Sequence, residues 1–190
     1  MAIRDLIIIF WLIFIGYWAI TAFAVKKDIS APASWPRPAY IRITIFIILA
    51  IFLSRKSTRQ YIASGAQFFA TSRGAQIAGA ILCALGIALA IWARKHLGSN
   101  WSPVPSEKEN HELVISGPYK FLRHPIYTGL FTAAIGSALA GGILWPIISA
   151  ALLIIFIRRI AIEEKIMTRL FTDKYSSYKK RTYALIPFIF

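Results

Sequence analysis

"IRDLIIIFWLIFIGYWAITAFAV", residues 3–25, is a run of 23 residues whose only charges, Arg4 and Asp5, fall at its very start. As a helix it would reach about 35 Å, enough to cross a hydrocarbon core of roughly 30 Å. Ala22-Phe23-Ala24 has the small-residue look of a signal-peptide cleavage site. The run, however, is longer than a signal core of about 7–15 residues. It is also rich in aromatics, and Asp5 offsets the single preceding Arg4. It reads as a retained membrane span. The whole chain agrees, since 57% of its 190 residues are hydrophobic, above the share usual for a soluble domain.

Working outward, residues 26–40 form a loop whose Pro32, Pro36 and Pro38 cannot continue a helix. Ala39–Leu53 is a second, shorter apolar run, and the polar stretch 54–76 has room for an interfacial helix around Tyr61–Ala70. Ile77–Ala93 is a third run, rich in Ala and Gly, which suits close helix packing in lipid. Arg94–Arg123 is polar and turn-rich. Two apolar stretches follow, Pro125–Leu144 and Pro146–Ile157, separated by Gly141-Gly142 with no charge between them, so they predict a tight helical hairpin. After Arg158 the pattern becomes a charged amphipathic helix.

The expected fold is therefore an all-α integral membrane protein of about five transmembrane helices, the last two a hairpin, with a C-terminal amphipathic helix. One membrane domain, 1–190, holds three N-terminal spans (1–93) and a polar-rich region with the last two spans (94–190).

A formal charge of +14 suggests nucleic acid, but the basic residues are scattered between apolar runs and form no patch, so a nucleic-acid partner is not expected. Basic residues between spans instead set orientation. With five spans, 17 of the 22 Lys and Arg lie on one side, in Lys26–Arg42, Arg94–Arg123 and everything from Arg158 onward. That side is assigned to the cytoplasm, and it holds both the polar linker and the C-terminal helix. Cys83, the single cysteine, allows no internal disulfide and reads as a small apolar side chain.

Two polar clusters face that compartment. In "NHELVISGPYKFLRHPIYTG", residues 110–129, Pro125 starts a helix and Arg123-His124 stand at its mouth, beside free backbone N–H groups that attract anions. An arginine there is commonly a headgroup anchor; a histidine just before the proline is less easily explained that way. In "IRRIAIEEKIMTRLFTDKYSSYKK", residues 157–180, Arg159 and Glu163 are four apart and share a helix face. Taken alone this is an ordinary surface ion pair, with Glu164 and Lys165 expected as solvent-facing partners, although Glu164 could share the work of Glu163. The sequence has no Rossmann glycine motif, no phosphate-cradling loop and no nucleophile elbow, and His96, His111 and His124 are not spaced as a metal set.

At "LGSNWS" (97–102), "HELVISGPY" (111–119), "RHPIYTG" (123–129), "EE" (163–164), "FTDKYSSY" (171–178) and "IPF" (186–188) the sequence resembles the isoprenylcysteine carboxyl methyltransferase family of integral membrane enzymes. The pieces occur in family order over roughly the C-terminal half. The resemblance implies S-adenosylmethionine bound by His111, Glu112, Leu113, Val114, Tyr119, Arg123, His124, Pro125, Tyr127 and Glu163, with Arg159 holding the substrate carboxylate. It implies a lipophilic acceptor drawn from the bilayer, carboxyl O-methylation of an isoprenylcysteine-type substrate, and no metal. Headgroup N-methylation of a phospholipid is the nearest rival, a nicotinamide-dependent membrane reductase a further one, and a non-catalytic lipid-binding protein the last. Thr172 stands where the family usually has glycine after the phenylalanine, and Lys165 replaces a frequent third acid; the former is expected to alter a helix turn outside the pocket.

Overall fold

The computed structural model describes residues 3–21, 28–30, 72–101, 107–108, 112–141 and 144–186. The expected second span, Ala39–Leu53, and the interfacial helix at 61–70 lie outside them. Four helices carry the described fold: α1 (Ile3–Thr21), α2 (Arg73–Leu97), α3 (Pro125–Leu139) and α4 (Trp145–Lys179). Among the described residues, a short antiparallel pairing of Asp28–Ser30 with Glu107–Lys108 departs from the helical pattern. α1, α2 and α4 are long and apolar enough to cross a membrane, while α3 is a shorter apolar helix of 15 residues. This is an integral membrane, α-helical architecture.

The seam between α2 and α3 organises the bundle. Gly79 and Gly86 on α2 are seven residues apart, as are Gly129 and Gly136 on α3. Running antiparallel, they meet in pairs: a Cβ on Gly79 would collide with the Gly136 carbonyl, and one on Gly86 with the Gly129 carbonyl. Backbones this close gain dispersion contacts that lipid cannot match, which is how helices associate without a hydrophobic drive. Cys83 and Ala133, fully buried, fill the seam, and the Ser137 hydroxyl bonds back to the Ala133 carbonyl at 2.8 Å. α1 lies across the seam, with Trp11 donating to Ser137 Oγ at 3.1 Å and stacking on Trp145 at 4.9 Å. The outer faces, including Ile8, Leu12, Ile81, Leu85 and Ile154, stay exposed on the bundle surface, where a bilayer would cover them.

α4 is uninterrupted from Trp145 to Phe171, about 40 Å, so it exceeds the bilayer core and carries charged residues beyond its apolar part. The last apolar stretch and the charged C-terminal helix are thus continuous rather than separate elements. The helix bends instead at Thr172, whose φ of 37° lies in the left-handed region that disfavours a side chain with a Cβ. Past the bend, Tyr175 and Tyr178 are buried, and the Tyr178 hydroxyl donates to the Tyr119 carbonyl at 2.7 Å. The chain then turns back, and residues 182–185 lie along the loop that precedes α3.

Candidate active site

Arg123 and His124 occupy the last two positions before Pro125, and their placement is fixed from the backbone outward. Gly117 opens a 3-10 turn, Gly117–Lys120, at φ +56°, with no room for a Cβ because the His96 imidazole lies against it. Leu122 pairs with Tyr183 in a single parallel bridge. Arg123 N–H donates to the Tyr183 carbonyl at 2.8 Å and His124 N–H to the Ala184 carbonyl at 3.0 Å. Thr128 Oγ1 donates to the Leu185 carbonyl at 2.5 Å. A proline at the first helical position needs no partner for a missing N–H, so α3 starts cleanly from His124.

The two side chains meet α4. His124 Nδ1 is 3.4 Å from Glu163 Oε2, and its Nε2 is 3.7 Å from Glu164 Oε1. Arg123 Nε donates to Glu164 Oε1 at 2.6 Å, and its Nη1 reaches the carbonyls of Thr182 and, at 3.3 Å, Lys179. Lys179 Nζ closes on the other Glu164 oxygen at 2.6 Å. Glu163 also accepts from Tyr127 Oη at 2.5 Å and from Arg159 Nη2 at 3.3 Å. Three rings line up beside these charges: His124 stacks on Tyr127 and Tyr127 on Phe156, with the Arg159 guanidinium 5.6 Å from the centre of the Tyr127 ring. Adjacent basic residues at a helix start thus face adjacent acidic residues on a neighbouring helix.

Burial alone would strip charge from His124, but the nearby Glu163 and Glu164 carboxylates outweigh it and raise its pKa above the ordinary 6.5. Tyr119 is pushed well up, first by burial and then by the Glu163 charge, and so stays a neutral phenol. It belongs with Ala93 and Ile126 in an apolar cluster flanked by Val114, Trp101 and Tyr127.

Arg123, His124, Pro125, Tyr127, Arg159 and Glu163 therefore come together, with Tyr119 one layer behind. Leu113 and Val114 are half-buried, Val114 against the Tyr119 cluster, Glu112 is exposed, and His111 lies outside the described residues. Glu164 overturns the expectation that it faces solvent: its side chain is 13% exposed, less than the 22% of Glu163. Its two basic partners, separated from it by 41 and 15 residues, were invisible to a reading by helical spacing. The sequence signal was the match of two doublets, Arg123-His124 and Glu163-Glu164. The Arg159–Glu163 pair exists, but at 17% and 22% exposure it is not the solvated surface pair its spacing suggests. Lys165 is exposed, as expected. Thr172 is exposed too, yet it bends the helix just before Tyr178 and Lys179, which contact the loop at Tyr119 and the cluster at Glu164.

Apolar helices that bury a paired-charge cluster at the start of α3 define a class: membrane proteins with ionisable groups gathered among their helices. Residues 75–174 match the phospholipid methyltransferase family, and the chain belongs to it. Curated relatives include the protein-S-isoprenylcysteine O-methyltransferases of Schizosaccharomyces pombe, 35% identical over 112 residues, and of Tribolium castaneum, 36% over 115 residues. The Homo sapiens protein of the same name is 34% identical over 119 residues. These matches cover 57%, 58% and 60% of this chain but 47%, 41% and 41% of the relatives, so the chain spans less than half their length. A solved eukaryotic intramembrane Ras methyltransferase, isoprenylcysteine carboxyl methyltransferase, shares the fold with a TM-score of 0.64. It is 24% identical, and the match covers 94% of this chain and 63% of that one.

Proposed function

We propose that this protein is an S-adenosylmethionine-dependent methyltransferase that esterifies the carboxylate of an isoprenylcysteine-type acceptor, with its site on the cytoplasmic side of the membrane. The family and its relatives' names imply a methyl donor, and the residues present fit this one. His124 Nε2 is buried without a hydrogen-bond partner among the described residues. Aromatic faces and carboxylates suited to a sulfonium and an ammonium lie next to it. His124, Tyr127 and Glu163 would hold the donor, with Leu113 and Val114 as apolar lining and His111 and Glu112 completing the set that the resemblance implies. Bound there, S-adenosylmethionine supplies an electrophilic methyl group. Arg123 is already committed to Glu164 and to backbone carbonyls, so it would shape the site rather than touch the ligand.

The observation that carries the reading is the state of the two acids. Glu163 is held by Tyr127, Arg159 and His124, and Glu164 by Arg123 and Lys179. Neither is placed to take a proton from an ammonium, which N-methylation of a phospholipid headgroup would require. A carboxylate acceptor is already ionised at neutral pH and needs no base. Its need is to be oriented and freed of water, and Arg159 at the edge of the apolar half of α4 can do both. One carboxylate oxygen would form the new bond to the methyl carbon as the carbon–sulfur bond breaks, leaving a neutral thioether.

The test is mass spectrometry of purified protein incubated with methyl-labelled donor and either N-acetyl-S-farnesylcysteine or phosphatidylethanolamine. Label is expected in the first as a base-labile ester. Label in the second alone would overturn the assignment. Arg159→Ala should raise the acceptor KM about tenfold, a typical cost of one charge-assisted contact, while S-adenosylhomocysteine affinity stays within about twofold.

A further inference from the structure

We infer that Glu164 is a positioning residue of this site: Arg123, His124 and Lys179 converge on its carboxylate, which holds the His124 ring in the cluster as an imidazolium. The inference deepens the reading above and rests on it for the cofactor, although the charge of His124 can be measured with no ligand present.

The argument begins with the ring. A neutral imidazole has one N–H and one lone pair. Here Nδ1 faces Glu163 at 3.4 Å and Nε2 faces Glu164 at 3.7 Å, so in either neutral tautomer a lone pair would point at an anion. At 3.7 Å Nε2 makes no hydrogen bond to Glu164, but only the doubly protonated ring sets positive charge beside both carboxylates. Against this act the cations Arg123, Arg159 and Lys179. The first is neutralised by Glu164 at 2.6 Å, the second pairs with Glu163, and the third is 48% exposed and screened by solvent. Of the phenols, Tyr127 donates to Glu163 and so competes for no proton on the ring, while Tyr119 and Tyr175 are buried.

The same carboxylate ties the loop to α4. Residues 182–185 fix the backbone of Arg123 and His124 from behind, and Glu164 fixes their side chains from in front. Removing its charge should leave the backbone contacts intact, loosen the Arg123 side chain and let the ring lose its proton more easily.

The experiment is imidazole NMR of the full chain in detergent micelles, with the His124 signal assigned by its loss in His124→Gln. Glu164→Gln is expected to lower the His124 titration midpoint by about one pH unit, the size of a single nearby charge. Lys179→Met removes a cation from Glu164 at an exposed position, folds on that account, and should move the midpoint the other way. In Glu164→Gln the affinity for S-adenosylhomocysteine should fall about tenfold at pH 8 and recover towards wild type at about pH 6. A midpoint unchanged in both variants overturns the inference; if Glu164→Gln does not fold, an unchanged midpoint in Lys179→Met does so alone. Wild-type protein that binds no S-adenosylhomocysteine while the midpoints move as stated would sink the cofactor reading and leave the positioning role standing.

Discussion

The α2–α3 seam and the junction of the α3 mouth with α4 join helices by opposite means. In the seam, glycines bring backbone against backbone, and what holds the pair is shape. At the junction charged side chains link the start of α3 to α4 through Arg123–Glu164 and His124–Glu163, with Lys179 closing on Glu164. The seam therefore has no tolerance for volume and little interest in pH, whereas the junction tolerates volume better and depends on every charge. A fold that holds its helices together in lipid while gathering charged side chains at one end uses both. The apolar seam supplies close packing, and the charged junction supplies a cluster of mutually paired acids and bases.

Breaking the seam should have the largest effect. Gly86→Leu places a side chain where the Gly129 carbonyl and Ala133 backbone already sit. It should destabilise the bundle by about 3 kcal/mol, the upper range for overpacking, because backbone cannot move aside as a side chain can. Thermal unfolding in detergent would check it; a stability equal to wild type would mean that the helices do not meet there.

The junction comes next. Glu163→Ala strands His124 and Arg159 without their carboxylate, and should cost about 2 kcal/mol, below the figure for a fully buried pair because Glu163 is part-exposed. S-adenosylhomocysteine affinity, measured by calorimetry, should fall at least about tenfold. Undiminished affinity would remove Glu163 from the cofactor site.

The pH response sharpens the contrast. His124 has a folded pKa above its unfolded 6.5, so the stability it contributes is fully present below 6.5 and is lost as pH rises through the folded value. Wild type should lose stability across that window, read as a falling thermal midpoint in detergent as pH rises. Glu163→Gln should flatten the profile, and Gly16→Ala, where an added Cβ meets nothing, should leave its shape alone.

Thr172→Gly carries the smallest effect. Glycine adopts the φ of 37° without the Cβ clash, so stability should rise by about 1 kcal/mol if the bend is intrinsic. A loss of similar size would mean that the bend is imposed from outside and that glycine only adds unfolded-state entropy.

Much of this was legible beforehand because membrane spans announce themselves. The runs at 3–25 and 77–93 became α1 and the middle of α2, and Pro125 marked the start of α3. Ala and Gly enrichment indicated close packing, but not which glycines meet; that needed the antiparallel register. The Arg123-His124 and Arg159–Glu163 pairs were found as separate local features, each with a bland explanation. Glu164 was misplaced because its partners, Arg123 and Lys179, are 41 and 15 residues away, and helical spacing speaks only of neighbours three or four apart. The return of residues 182–185 along the loop before α3 left no mark in the sequence at all.

By itself the sequence determined a basic, membrane-spanning helical chain with polar groups gathered at the helix ends, because hydropathy and charge act locally along the chain. Tertiary structure decided which acid meets which base, how close the helices come, and that the chain end braces the loop. Those outcomes depend on contacts between residues far apart in sequence, and pairwise distance in space is a quantity that no one-dimensional pattern carries.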